Sequence, residues 1–148
     1  MRTILVALDA SPRARDVFDT ALNLAKKVGG QLVLFRAVGL PLGLPPEAYA
    51  MSPDALEVML EREAKGYLES LAAEVPADHL QQVFVHTGTP WRSVCAAAEQ
   101  VQADLVVIGS HGYQGLDRLI GTTAAKIVDH AKCSVLVVRS HKLAEESV

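Results

Sequence analysis

Strand-length apolar runs alternate along the chain with segments whose apolar residues recur at helical spacing. Four runs are continuous or nearly so, and a shorter one lies between the second and third helical patterns: Thr3 to Leu8, Leu32 to Val38, Val83 to Val85, Asp104 to Ile108 and Val135 to Val138. Such runs are typical of strands buried on both faces. The alternation predicts right-handed βαβ crossovers, and therefore an α/β fold with one doubly wound, five-stranded parallel sheet and helices on both faces.

Three of the helical patterns follow a hydroxyl-proline pair, at Ser11-Pro12, Ser52-Pro53 and Thr89-Pro90. This order predicts a capping hydroxyl followed by proline at the first helical position. The first apolar stripe ends at Gly29-Gly30 and comprises Val17, Phe18, Ala21, Ala25 and Val28. A fourth helix is predicted from about Thr122 to His130, with Ile127 and Val128 turned inward.

The composition favours a single domain. The chain has 148 residues, of which 50% are hydrophobic, and we expect a domain over residues 1–140 followed by a polar tail at 141–148. With 14 basic and 17 acidic residues the formal charge is −3, and the absence of a dense basic run argues against nucleic acid as the main partner. The longest apolar stretches have the length of strands, so we expect a cytoplasmic protein with no membrane segment.

The fourth strand run breaks into glycine turns, and a third glycine precedes the last helix. The residues are Val106-Val107-Ile108-Gly109-Ser110-His111-Gly112, followed later by Gly121-Thr122-Thr123. Glycine allows a ligand to approach backbone N–H groups, and a helix beginning near Thr122 would direct its first-turn N–H groups at an anion. The pattern indicates a phosphate cradle. The alternative is that the glycines only make tight connections between strand and helix.

These residues carry a resemblance to a known family. Gly109-x2-Gly112 and Gly121-Thr122 resemble the G-x2-G-x9-G-[ST] ATP motif of the universal stress protein family. The opening run Ile4 to Ser11 and the closing run His130 to Arg139 are similar to the family's first and last strands. In one departure, eight residues rather than nine separate Gly112 from Gly121. The resemblance implies the strand order 3-2-1-4-5, which puts a ligand crevice at the carboxyl ends of strands one and four.

The crevice prediction assigns roles to individual residues. Asp9, at the end of the first strand, is expected to accept hydrogen bonds from ligand hydroxyl or amine groups; the alternative is that it caps the helix beginning near Pro12. The resemblance implies that Ala37 lies against adenine through its backbone. The remaining predicted contacts surround ribose and phosphates: Gly109, Ser110, His111, Gly112, Gly121, Thr122 and Thr123.

The chemistry of the chain favours binding over catalysis. There is no G-x4-G-K-[ST] loop and no HExxH motif, so no metal is expected beyond Mg²⁺ arriving with ATP. Cys95 and Cys133 are interpreted as small, partly buried hydrophobic residues. Trp91 is expected to cover a helix start, with stacking on a base as the alternative.

The predicted function is an ATP-binding regulatory or stress-tolerance module that responds to nucleotide and is read by an unidentified protein partner. We expect at most slow ATP hydrolysis or autophosphorylation. The last strand, Ser134 to Arg139, would form an apolar sheet edge, and the resemblance implies a homodimer through it. The alternative is a dimeric scaffold of the same fold that binds no nucleotide.

Overall fold

The computed structural model describes residues 2–39, 52–110 and 121–139. Its five strands are β1 Thr3–Ala7, β2 Gln31–Val38, β3 Leu80–Thr87, β4 Leu105–Gly109 and β5 Ser134–Val138. The helices in these ranges are α1 Ala14–Val28, α2 Pro53–Ala72, α3 Pro90–Gln100 and α4 Thr122–His130, with a short 3₁₀ turn at Ala77–His79. Strands and helices therefore alternate in the order that the sequence predicts.

The strands form one parallel sheet in the order β3-β2-β1-β4-β5, which confirms the predicted topology. Strand β1 pairs with β2 from Thr3↔Gln31 to Ala7↔Phe35, and with β4 from Ile4↔Leu105 to Val6↔Val107. The chain runs outward from β1 to β2 and β3 on one side, and to β4 and β5 on the other. The topological switch point thus lies between β1 and β4, where open α/β sheets bind ligands.

Helices cover both faces of the sheet, as predicted. Because successive strand residues point to opposite faces, Ile4 and Val6 pack with Phe18 of α1 and Leu68 of α2, whereas Leu5 packs on the other side. The second cluster joins Leu5, Val33, Phe35 and Val106 to Val94 of α3 and to Ala124 and Ile127 of α4. None of the helices in the described ranges combines the length and apolar character needed to cross a membrane.

The predicted start of α1 is wrong. The helix begins at Ala14 with Arg13 as its N-cap residue, so Ser11 does not cap it. Instead the Asp9 carboxylate accepts the Ser11 N–H at 2.9 Å, and the Ser11 carbonyl accepts the Ala14 N–H at 3.1 Å. Ser11 and Pro12 therefore belong to a turn that precedes the helix. The turn forms because an aspartate side chain readily accepts a hydrogen bond from the backbone N–H two residues ahead.

The other two predicted starts are correct in position. Ser52 precedes α2, and its Oγ accepts the Ala55 N–H at 3.1 Å. Thr89 precedes α3, but its side chain makes no capping hydrogen bond. At the other end of α1, Gly29 adopts the left-handed conformation with φ 71°, which suits glycine at a helix end.

Three further details differ from the predictions. Val28 and Val128 are 46% and 48% exposed rather than buried, since each lies at the margin of its helix's apolar stripe near the helix end. Strand β3 is longer than the predicted Val83–Val85 run and has eight residues. Its second and third residues, Gln81 and Gln82, are polar and exposed, because β3 is an edge strand.

Candidate functional site

A cavity of about 290 Å³ lies at the carboxyl ends of β1 and β4, close to the lower limit of about 300 Å³ for small-molecule sites. Seven of the nine predicted site residues line it: Asp9, Ala37, Gly109, Ser110, Gly121, Thr122 and Thr123. The other two, His111 and Gly112, lie outside the described residues. Segments more than 80 residues apart in sequence thus meet around one space.

Asp9 does not cap the first helix, which was one of the two roles that the sequence left open. It lines the cavity, and its Oδ1 accepts the Ser11 N–H at 2.9 Å. The bond stabilises the turn after β1 rather than capping α1, which starts three residues beyond Ser11. Asp9 is the one charged side chain among the described residues that line the cavity.

The end of β4 is joined to the start of α4 by backbone hydrogen bonds. Ser110 is 2% exposed; its N–H donates to the Val138 carbonyl at 3.0 Å, and its carbonyl accepts the Gly121 N–H at 2.7 Å. Both ends of the glycine-rich segment are therefore fixed against the sheet. This arrangement holds Gly121 beside Gly109 at the edge of the cavity.

Helix α4 opens towards the cavity. Gly121 is its N-cap residue, at φ −63° and ψ 160°, and has no side chain that could cap the helix. The N–H groups of Thr122, Thr123 and Ala124 have no acceptor within the helix, because the first turn lacks preceding carbonyls. All three residues line the cavity, so the positive end of the helix dipole faces it and favours an anion there.

An apolar wall completes the cavity, and sequence reasoning did not assign it to the site. Pro90 and Val94 of α3, Ile108 of β4, and Ala124 and Ile127 of α4 form it. Pro90 could have been predicted to lie at the site, because it is the first residue of α3 and this helix starts beside the carboxyl ends of the strands. A cavity with one apolar and one polar side suits a ligand that combines a flat ring with an anionic group.

Trp91 belongs to a different surface. Its ring lies 4.5 Å from the His130 ring, centroid to centroid, and the Lys126 ammonium lies 5.6 Å from the indole centroid. Trp91 is not among the described residues that line the cavity. The indole thus contacts the middle and the last residue of α4, and a role in covering a helix start stays a prediction.

A second, smaller cavity of about 20 Å³ adjoins the first and shares Ala7, Asp9 and Gly109 with it. Ser11 also lines it and is 5% exposed; its Oγ has no hydrogen-bond partner among the described residues. A space of this size holds one water molecule when polar groups surround it. The sequence had assigned the Ser11 hydroxyl to helix capping. In the structure this hydroxyl is buried and lines the small cavity together with Asp9.

The cysteines are half-buried, as predicted. Both Cys95 and Cys133 pack against the apolar cluster under α3 and α4, and burial raises the pKa of each thiol. Within residues 2–39, 52–110 and 121–139, no three His, Cys, Asp or Glu side chains are grouped so that they could hold a metal ion.

Comparison with known proteins gives a consistent result. The sequence model of the universal stress protein family matches residues 1–139. Universal stress protein A homolog 1 of Coxiella burnetii is 34% identical over 138 residues, which cover 91% of this chain and 94% of that protein.

Solved structures agree with the sequence match. Universal stress protein UspA from Lactobacillus plantarum superposes with a TM-score of 0.72 at 27% identity, covering 93% of this chain and 97% of that one. The universal stress protein from Archaeoglobus fulgidus in complex with dAMP shares the fold at 20% identity, with a TM-score of 0.62 and coverage of 94% and 98%. This chain belongs to the universal stress protein family.

Proposed function

We propose that this protein binds ATP, together with Mg²⁺, in the cavity between β1 and β4 and acts in the cytoplasm as a nucleotide-responsive regulatory or stress-tolerance module. One observation carries the proposal. Seven predicted site residues line a single cavity, and the first turn of α4, which has no side-chain cap, also lines it. Solved structures of universal stress proteins in complex with dAMP and with cAMP support an adenine nucleotide as the ligand class.

The lining suggests how a nucleotide would lie. The apolar wall of Pro90, Val94 and Ile127 suits adenine, with the Ala37 backbone beside it. Asp9 can accept hydrogen bonds from ribose hydroxyl groups. The first-turn N–H groups of α4 and the hydroxyls of Thr122 and Thr123 can donate to phosphate oxygens, and Mg²⁺ would arrive bound to the phosphates.

Binding rather than turnover fits this set of groups. Phosphoryl transfer at useful rates depends on groups that neutralise charge and position the nucleophile, such as the lysine of a P-loop, and the sequence has no such motif. We expect at most slow hydrolysis or autophosphorylation, below about one turnover per second. The nucleotide state would then act by changing the surface near α4 that a protein partner reads.

A dimeric scaffold that binds no nucleotide is the second candidate, and strand β5 favours it. β5 is an edge strand, and Val135, Leu136, Val137 and Val138 are only half-buried. An exposed apolar edge is open to pairing with another strand. We propose that two copies of the chain pair through β5, whether or not nucleotide is bound.

The substitution Gly121→Val tests the nucleotide proposal. At φ −63° and ψ 160° any residue is accommodated, so the fold is expected to persist, while a branched side chain would enter the phosphate side of the cavity. The matched control is Gly66→Val, since Gly66 lies on α2 and, its own turn of helix apart, none of the described residues comes within 4 Å of the place that a Cβ would occupy. Adenylate that copurifies with the protein is measured after denaturation.

We expect adenylate with the parent protein and the Gly66 variant, and none with the Gly121 variant. Equal adenylate in all three samples would contradict the assigned phosphate position. Light scattering on the same samples tests the dimer: all three are expected at twice the mass of one chain, and a monomer would contradict pairing through β5.

A further inference from the structure

Arg36 approaches the proposed nucleotide site from the opposite face of the sheet. It precedes Ala37 on β2, and consecutive strand residues point to opposite faces. Ala37 lines the cavity, whereas the Arg36 guanidinium lies over the Tyr67 ring of α2, 4.3 Å from its centroid. The arginine therefore lies between α2 and the end of β1.

The guanidinium binds two consecutive backbone carbonyls there. Its Nε donates to the Leu8 carbonyl at 3.1 Å, and its Nη2 donates to the Asp9 carbonyl at 2.5 Å. These carbonyls follow Ala7, the last residue of β1. A planar guanidinium presents its donors in a fixed fork, and stacking on an aromatic ring further restricts its orientation.

The backbone carbonyl and the side-chain carboxylate of Asp9 are thus each fixed by a hydrogen bond. Arg36 holds its carbonyl, and the Ser11 N–H donates to its Oδ1 at 2.9 Å. The backbone position of Asp9 decides where the carboxylate stands in the cavity, since the side chain is short. A shift of the peptide after β1 would move the carboxylate with it.

We propose that Arg36 is a positioning residue for the nucleotide site. It fixes the backbone of Leu8 and Asp9 so that the Asp9 carboxylate faces the ligand, and through Tyr67 it joins α2 to the floor of the crevice. This inference rests on the proposed function, because its consequence for binding requires nucleotide in the cavity. Arg36 acts on the ligand only through Asp9.

The substitution Arg36→Met keeps the aliphatic part of the side chain and removes the donors. Arg15→Met is the matched control: Arg15 donates to both Glu74 carboxylate oxygens at 2.7 Å, and its guanidinium lies 5.4 Å from the Phe18 ring centroid. Arg15 is outside the described lining of the cavity. We expect the dissociation constant for Mg-ATP to rise about tenfold in the Arg36 variant and to stay at the parent value in the Arg15 variant.

A second pair of variants separates positioning from a general loss of structure. In an Asp9→Ala background, adding Arg36→Met is expected to leave the dissociation constant within about twofold, because the group that Arg36 positions has already been removed. If the tenfold loss persists in that background, Arg36 does not act through Asp9 and the inference is overturned.

A measurement without ligand keeps this inference distinct from the proposed function. The backbone amide NMR signals of Ala10 and Ser11 in nucleotide-free protein are expected to shift in the Arg36 variant and not in the Arg15 variant. Such shifts support positioning even if the parent protein fails to bind Mg-ATP, in which case the proposed function alone fails. Unchanged signals in the Arg36 variant would overturn the positioning role whatever the affinity.

Discussion

Ser11 illustrates how a single side chain can differ from its predicted role. The sequence assigns its hydroxyl to a helix cap, but the Asp9 carboxylate takes the Ser11 N–H and the helix starts at Ala14. The hydroxyl is left in the interior, with no hydrogen-bond partner among the described residues. A local turn therefore forms in place of the helix cap. A sequence pattern alone does not distinguish the two structures, because aspartate and serine favour both.

Replacing Ser11 with alanine is expected to raise the free energy of unfolding by about 1 kcal/mol, because an unpaired buried hydroxyl costs about 1–3 kcal/mol. The matched change Ser52→Ala should have the opposite sign, with a loss of about 1 kcal/mol, since Ser52 caps α2. Urea denaturation of both variants measures the difference. A loss of stability on Ser11→Ala would contradict an unpaired hydroxyl and would indicate a bound water in the small cavity.

Arg36 marks another limit at the residue scale. Its position in an apolar strand indicates that the side chain reaches out of the sheet, but periodicity does not identify partners 27 and 28 residues away. The predicted site residues that line the cavity are those next to glycines or at strand ends. Backbone geometry restricts those positions, whereas the partners of a long, flexible side chain depend on the whole fold.

At the scale of elements, the sequence was informative where composition allowed few alternatives. The five apolar runs became five strands in the predicted order, and α4 occupies the predicted Thr122–His130. Element ends were less predictable: Val28 and Val128 are exposed, and β3 extends over polar residues. Helical spacing indicates which face is apolar, while the width of the buried stripe is set by neighbouring elements.

Strands β1 and β4 are also joined at the end of the sheet far from the cavity. The Asp104 carboxylate accepts the Arg2 and Thr3 N–H groups at 2.8 and 2.9 Å, and the Asp104 N–H donates to the Thr3 carbonyl at 2.8 Å. The two backbone N–H donors hold the pKa of the Asp104 carboxyl below its ordinary value of 3.8.

A lowered pKa in the folded state means that ionised Asp104 stabilises the fold above pH 3.8, and that this contribution disappears as the pH falls below that value. Asp104→Asn is therefore expected to lower the thermal midpoint at pH 7, since the neutral amide is a weaker acceptor. The gap between parent and variant should close on acidification below pH 3.8. A gap that is unchanged from pH 7 to pH 2.5 would contradict the role of the charge.

At the scale of the whole molecule, the topology brings the site together. The strand order puts β1 between β2 and β4, so Ala37, Asp9 and Gly109 follow one another, in that order, across neighbouring strand ends. The apolar cluster beneath α3 and α4 fixes the two helices that complete the cavity, since Val94, Ala124 and Ile127 belong both to this cluster and to the lining. The same residues therefore stabilise the fold and shape the site.

The spacing between Gly112 and Gly121 is one residue shorter than in the family's ATP motif. This departure is the strongest argument against nucleotide binding, because both glycines belong to the proposed phosphate contacts. A backbone hydrogen bond joins Ser110 to Gly121 at 2.7 Å. It leaves the first turn of α4 at the cavity, so we expect the phosphate position to be retained despite the missing residue.

The most direct measurement is a calorimetric titration of Mg-ATP, with ADP and AMP alongside, into protein freed of nucleotide by mild unfolding and refolding. We expect a micromolar dissociation constant for Mg-ATP, equivalent to a binding free energy of about −8 kcal/mol. An absence of binding heat with all three nucleotides, together with no adenylate in the protein as purified, would contradict nucleotide binding and leave the dimeric scaffold as the function.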